Sequence, residues 1–230
     1  MSIGKRVVVG SFLISSGNFI DTLISAVGSI IITRLLTPSE YGLIGIALMY
    51  PLMLSGLMDF GLSNALLRYS SIDKQGRYVG VGILIKFVVA VVSGVAVFIF
   101  ADAMALSLAR PYLAFMIKVL SLYTFSYILL DALGQVLLGL DEYGKAMLIG
   151  IVRNVLRVSI AVVLILLGLG VYGAVLSFSV AYTSILPLAT FFVMRRAGLF
   201  TFDRKVFKEI LIYSIPLYIP VLLGVPAGQL

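Results

Sequence analysis

The segment YVGVGILIKFVVAVVSGVAVFIF, residues 78–100, contains a single ionisable side chain, Lys86, in an otherwise apolar run. An α-helix rises about 1.5 Å per residue, so a run of this length covers the roughly 30 Å hydrocarbon core of a bilayer. Core helices of soluble domains are shorter and less uniformly apolar. The segment therefore predicts a transmembrane helix.

Similar apolar runs lie on both sides of this segment. Spans are predicted at 7–33, 41–67, 78–100, 113–138, 146–167 and 173–194, and a further one begins at residue 209. An outer-membrane barrel would show short alternating segments instead. We predict an all-α, polytopic membrane helix bundle with six transmembrane helices and the start of a seventh.

The composition excludes a water-soluble fold and disfavours an enzyme. Hydrophobic residues make up 61% of the chain and charged residues 12%, with a mean hydropathy of +1.16, whereas soluble domains carry about 25% charged residues. Cysteine and histidine are both absent, which removes thiolate nucleophiles, disulfides and the commonest metal ligands and general bases. We therefore expect no catalytic residue, no metal site and no cofactor.

The lysines and arginines between the spans predict the orientation. Cytoplasmic loops are enriched in positive charge, and one face of the predicted bundle carries eleven basic residues against two, Arg34 and Arg110, on the other. The eleven are Lys5, Arg6, Arg68, Lys74, Arg77, Lys145, Arg195, Arg196, Arg204, Lys205 and Lys208. This bias predicts a multi-pass protein of the cytoplasmic membrane with its N-terminus in the cytoplasm. It also accounts for most of the net charge of +7, so we expect membrane lipids and not nucleic acid as partners.

The predicted spans divide the chain into three parts. Residues 1–196 form an N-terminal six-helix lobe, 197–208 a cytoplasmic linker, and 209–230 an incomplete seventh helix that nothing follows to anchor at its outer end. We therefore expect a truncated form of a longer, transporter-like chain. A second lobe, a partner chain or self-association would then complete the bundle.

Ionisable residues inside the predicted spans are the candidates for function. A central charge costs about 2.5–3.5 kcal/mol on insertion scales, so such residues usually face a bundle interior or a hydrated cavity. Six of these ionisable residues are candidates for a cavity lining, and the amide of Asn18, near Asp21, is a seventh. The seven are Asn18, Asp21, Asp59, Lys86, Asp131, Arg153 and Arg157. Lys118, near the outer end of its span, can reach the interface.

The balance of these charges favours an anionic ligand. Four bases against three acids leave the interior slightly cationic, which suits a phosphate or diphosphate. Arg153 and Arg157 share one helix face, and Arg157 lies at mid-membrane depth, so it is the best candidate for the anion contact. Two alternatives stay open: structural ion pairs, for example Asp131 with Arg153, or binding of Na⁺ or H⁺, for which Asp21 is best placed.

Pro51 lies in the middle of the second predicted span. Proline removes a backbone hydrogen bond and commonly kinks a helix. The position predicts either a hinge or a static bend.

Several stretches of the chain resemble lipid-linked oligosaccharide and polysaccharide flippases of the O-antigen-translocase type. This group belongs to a superfamily that also contains multidrug and toxin extruders and the peptidoglycan lipid flippase. The stretches are LLTPSEYGLIGIA at 35–47, DFGLSNALLRYSS at 59–71, GLDEYGKAMLIGIVRNVLRV at 139–158, GLGVYGAVLSFSVAY at 168–182 and EILIYSIPLYIP at 209–220. They occur in the order seen in that family and extend over almost the whole chain.

The resemblance implies two six-helix lobes around a central cavity, through which a diphosphate-linked sugar headgroup crosses by alternating access. This chain contains one such lobe. Arg153 and Arg157 match a basic stretch of the fifth helix in general character.

Three other functions remain as alternatives. The nearest is a multidrug or cation antiporter of the same superfamily, because cationic drugs favour unpaired acids in a cavity. The second is a truncated, non-transporting partner subunit. A membrane ligase or polymerase of the same sugars is least favoured, because the chain lacks both a histidine and a long outer loop.

Overall fold

Long α-helices account for nearly all of the chain in the computed structural model, which describes residues 3–73, 76–197 and 203–227. Within these ranges the helices are α1 (Ile3–Leu35), α2 (Pro38–Leu57), α3 (Leu62–Ile72), α4 (Arg77–Ser107), α5 (Ala114–Gly139), α6 (Tyr143–Leu164), α7 (Gly170–Ala197) and α8 (Arg204–Ala227). A 3-10 turn, Pro111–Leu113, leads into α5, and a π-type turn, Ile165–Leu169, joins α6 to α7.

Five helical stretches in the described residues are long and apolar enough to cross a membrane. They are Phe12–Leu35, Pro38–Leu57, Arg77–Ser107, Pro111–Gly139 and Tyr143–Ala197. The architecture is therefore the predicted all-α, membrane-type helix bundle.

The longest of these stretches, with 55 residues, is a helical hairpin. At its centre Gly168 has φ 89°, which is outside the helical region. Arg153 lies over the ring of Tyr182 and Lys145 over the ring of Phe192, and each pair is nearly symmetric about Gly168. The chain therefore reverses direction at this glycine, and α6 and α7 pack side by side.

The predicted span at 41–67 is wrong as a single helix. Phe60 and Gly61 have φ values of 49° and 72°, in the left-handed region, so α2 ends at Leu57 and α3 begins as a separate helix at Leu62. Glycine at 61 adopts this conformation without the steric cost that a side chain brings. The break brings Asp59 beside α4 and α5.

The start of α2 follows from its sequence. Thr37 caps the helix: its backbone N–H donates to Glu40 Oε2 at 2.8 Å, and the Glu40 N–H donates to Thr37 Oγ1 at 3.4 Å. Pro38 occupies the first turn, where no helical hydrogen bond is lost. This capping box ends the connection from α1 and sets where α2 begins.

Helix α5 lies at the centre of the bundle, packed against α3, α4 and α7. Helix α1 is more peripheral and packs mainly on α6. Gly17 and Gly28 lie against Met147 and Val158 so closely that a Cβ on either glycine would overlap the facing side chain. This close approach holds Asp21, between the two glycines, against the middle of α6.

Helix α8 packs on α3 and α4, with Val206 and Ile210 buried there. Arg77 Nε donates to Asp203 Oδ2 at 3.0 Å just before α8 begins. That guanidinium, together with the backbone N–H of Lys205, holds the pKa of the Asp203 carboxyl below its usual range. Residues 198–202 of the predicted linker lie outside the described residues, and α8 begins at Arg204 and not at 209.

Candidate functional site

A cavity of about 460 Å³ lies between α1, α2, α6 and α7. We call it the arginine cavity. Its polar lining consists of Asp21, Ser25, Ser29, Tyr41, Arg153, Asn154, Arg157 and Tyr182. Of the predicted candidates, Asp21, Arg153 and Arg157 are brought together here.

The two arginines extend from one face of α6 and lie over aromatic rings of α7. The guanidinium carbon of Arg157 is 5.0 Å from the centroid of the Phe178 ring, and that of Arg153 is 5.0 Å from the Tyr182 ring. Residues four apart are neighbours on a helix surface, and a guanidinium over an aromatic face gains a cation–π attraction. These contacts hold both guanidinium groups beside the rings without using their N–H donors.

The two arginines differ in their charge partners. Arg153 Nη2 is 3.6 Å from Asp21 Oδ2. Arg157 Nε donates to the Asn154 Oδ1 at 3.0 Å, and no carboxylate in the described residues lies within 4.0 Å of its guanidinium nitrogens. The positive charge of Arg157 is therefore not neutralised by a direct ion pair within this part of the chain.

Asn154, which was not among the predicted candidates, connects Arg157 to α1. Its side chain is 6% exposed, and its Nδ2 donates to Asp21 Oδ1 at 3.0 Å and to Ser25 Oγ at 2.6 Å. Its Oδ1 accepts from Arg157. The sign of this role in the sequence was the amide between two arginines, in RNVLR at 153–157.

A second cavity, of about 220 Å³, lies between α1, α5 and α6. We call it the polar cavity. Its polar lining consists of Asn18, Asp21, Asp131, Gln135, Tyr143 and Arg153. Since Asp21 and Arg153 line both cavities, their ion pair forms the boundary between them.

Asp59 and Lys86 lie in a separate ionic cluster outside both cavity linings. Lys86 is 1% exposed, and its ammonium group contacts Asp59, donates to Ser63 Oγ at 2.7 Å and lies 3.4 Å from Asp131 Oδ2. The Ser63 hydroxyl lies within hydrogen-bond distance of both carboxylates. The cluster joins α3, α4 and α5 to the break at residues 58–61.

The alternative that Asp131 forms an ion pair with Arg153 is wrong. Asp131 pairs with Lys86, and Arg153 pairs with Asp21. Long-range partners of this kind depend on how the helices rotate and pack, which residue spacing does not determine. Asp131 nevertheless borders the polar cavity with its other side.

Two further predicted features lie away from the cavities. Lys118 pairs with Asp102 at 2.8 Å near the start of α5, in a partly exposed position. Pro51 lies inside α2, which continues as a helix on both sides of it, and the Ser55 hydroxyl donates to the Pro51 carbonyl at 2.7 Å. Its role as a hinge stays a prediction.

The fold is that of one half of a known class of transporter. A transporter of the MOP superfamily from Pyrococcus furiosus aligns with a TM-score of 0.75 and 20% identity, over 95% of this chain and 52% of its own. The binding pocket of that transporter is described as having reverse polarity, which suggests a different function. A multidrug resistance MATE family transporter in an outward-facing conformation gives the same values. A MATE transporter in complex with Br-NRF aligns with a TM-score of 0.75 and 21% identity, over 98% of this chain and 56% of its own. The chain thus spans about half the length of these structures.

The sequence itself identifies the family. The profile described as "Polysaccharide biosynthesis protein" matches residues 31–229, which is most of the chain. The chain belongs to this polysaccharide biosynthesis protein family, and it carries one lobe of a transporter fold. No curated protein sequence matches it.

Proposed function

We propose that the chain is one lobe of a membrane transporter that flips or exports lipid-linked oligosaccharide or polysaccharide precursors across the cytoplasmic membrane by alternating access. The observation that carries this proposal is the guanidinium of Arg157, held in the arginine cavity with no carboxylate partner in the described residues. Membership of a polysaccharide biosynthesis family and a transporter fold support it. Both also favour a transporter over an enzyme.

The charge of the arginine cavity suits a diphosphate. Its lining carries two arginines and one carboxylate, Asp21. A planar guanidinium binds phosphate oxygens through parallel N–H donors, and Arg157 keeps its Nη groups available because its Nε is the atom bonded to Asn154. The ring of Phe178, which also lines the cavity, lies 5.0 Å from the guanidinium carbon.

An antiporter of cationic drugs is the second candidate. Asp21 and Asp131 border the polar cavity. Together with Asp59 they outnumber the two bases that pair with them, Arg153 and Lys86, and this net negative charge would attract a cation. In the arginine cavity the balance of charge is reversed, since two arginines face one carboxylate. We therefore prefer the anionic ligand.

We propose six completed crossings, with the N-terminus in the cytoplasm. The 55-residue hairpin supplies two of the six because the chain reverses at Gly168. Since cysteine is absent, Ser39→Cys and Ser71→Cys are clean reporters, and both serines are exposed. An impermeant thiol reagent added to intact cells should label position 39 and not position 71. The opposite pattern would reverse the orientation.

We further propose that the lobe needs a second lobe, a partner chain or a second copy for transport. Substrate sites in transporters built from repeats lie between two halves that move against each other. Reconstituted alone, the chain should self-associate and should not flip a labelled diphosphate-linked lipid as a monomer. Light scattering in detergent and a flipping assay in liposomes measure the two properties. Flipping by a monomer would overturn the half-transporter interpretation.

A further inference from the structure

The polar cavity is open because glycines form part of its wall. Gly134 of α5 and Gly150 of α6 both line it, and a Cβ built on either one meets no atom within 4 Å. Side chains at these positions would project into the cavity and not into the packed core. Replacing either glycine with a residue that has a small side chain would therefore fill the cavity without disturbing the helix contacts.

The groups around this space are suited to hydroxyls. Asn18 and Gln135 offer amide donors and acceptors, and Asp21 and Asp131 offer carboxylate acceptors. The Asn18 amide makes no hydrogen bond to another side chain within the described residues, and the Gln135 Nε2 reaches Asp131 Oδ1 only at 3.4 Å. When Asp59 and Lys86 are counted beside Asp131, three carboxylates face two bases here, and this net negative charge would repel a diphosphate. A neutral ligand rich in hydroxyl groups fits these donors and acceptors.

The two cavities follow one another along α1. The arginine cavity contacts α1 from Asp21 to Ile32, and the polar cavity contacts it from Ile14 to Asp21. With the proposed orientation, the polar cavity is the one nearer the cytoplasm. A lipid-linked sugar that enters from the cytoplasmic side carries its groups in the same order, with the sugar beyond the diphosphate.

We propose that the polar cavity is a sugar subsite, which binds the sugar ring attached to a diphosphate held by Arg157. The inference rests on the proposed function, and it adds where the sugar lies and which groups select it. Asn18, Asp131 and Gln135 hydrogen-bond the ring hydroxyls. The Asp21–Arg153 pair separates the sugar from the diphosphate.

The test compares two kinds of ligand, with and without a sugar, on this chain in nanodiscs. Farnesyl diphosphate carries no sugar, and farnesyl diphosphates linked to glucose, galactose or N-acetylglucosamine each carry one. At least one sugar-linked form should bind about tenfold more tightly than farnesyl diphosphate, as expected for two net hydrogen bonds.

Gly134→Val fills the cavity, Gly134→Ala fills it partly, and Asn18→Ala removes an amide without breaking a side-chain hydrogen bond. Gly56→Val is the matched control, since Gly56 also has open space around it and lines neither cavity.

The expected result is that Gly134→Val and Asn18→Ala reduce the tenfold preference to less than about twofold, while farnesyl diphosphate binds to each variant as to the wild type. Gly134→Ala should fall between, and Gly56→Val should change nothing. Equal binding of all ligands to the wild type, or a preference that survives both substitutions, would contradict the sugar subsite while leaving the arginine site intact. Binding of tetraphenylphosphonium that Gly134→Val weakens would instead make this cavity a cation site. Failure of the wild type to bind farnesyl diphosphate at all would remove the proposed function, and the subsite with it.

Discussion

Arg157→Ala is expected to lower the affinity for farnesyl diphosphate by about a hundredfold or more. The substitution removes charge-assisted hydrogen bonds worth roughly 1.5–3 kcal/mol each, and a guanidinium can form two of them with one diphosphate. Nothing else in the described lining supplies an arginine without a carboxylate partner, because Arg153 is paired with Asp21. Binding to the purified chain in nanodiscs measures the loss.

Two related variants separate charge from geometry. Arg157→Lys keeps the charge but loses the planar pair of donors, so we expect an intermediate loss of about tenfold. Arg153 is already paired with Asp21 and is not the proposed diphosphate ligand, so Arg153→Ala should weaken binding less than Arg157→Ala does. If Arg157→Ala binds the diphosphate within twofold of the wild type at equal protein levels, Arg157 is not part of the binding site.

Lys86→Met is expected to destabilise the lobe by roughly 3–5 kcal/mol. The side chain is almost completely buried, and its removal would leave Asp59 and Asp131 facing each other in a region of low dielectric constant. Breaking one partner out of a buried ionic network costs far more than the network contributes when it is intact. Thermal unfolding in detergent should show a clearly lower midpoint.

Lys118→Met is the matched control for this prediction. Lys118 also pairs with an aspartate, Asp102, but both side chains are partly exposed, and exposed ion pairs contribute only about 0–1 kcal/mol. Adding Asp59→Asn to Lys86→Met should recover part of the loss, because it removes one of the two unpaired charges. Equal stability of the Lys86 and Lys118 variants would mean that the cluster has no structural role.

The bundle was predictable from the sequence because each membrane crossing requires its own continuous apolar run. An apolar run such as 78–100 has the length that the bilayer imposes, whatever the rest of the chain does. The break after Leu57 was missed because the apolar character continues across it. Its only local signal is Gly61 in DFG at 59–61, which adopts a positive φ.

The candidate site was predictable in its residue types but not in its partners. Arg153 and Arg157 were placed on one face by their spacing, and the structure puts both in one cavity. Which carboxylate meets which base depends on contacts between helices far apart in the sequence, such as Asp21 with Arg153. Asn154 was missed for the same reason, since its importance lies in hydrogen bonds to α1.

Ligand selectivity distinguishes an anion-binding cavity from a cation-binding one. We expect the wild-type chain in nanodiscs to bind farnesyl diphosphate saturably and about a hundredfold more tightly than farnesol, since the diphosphate adds charge-assisted contacts to Arg157. We also expect that tetraphenylphosphonium does not displace the diphosphate. Binding of farnesol and farnesyl diphosphate with equal affinity, or tighter binding of tetraphenylphosphonium than of the diphosphate, would contradict an anion-binding cavity.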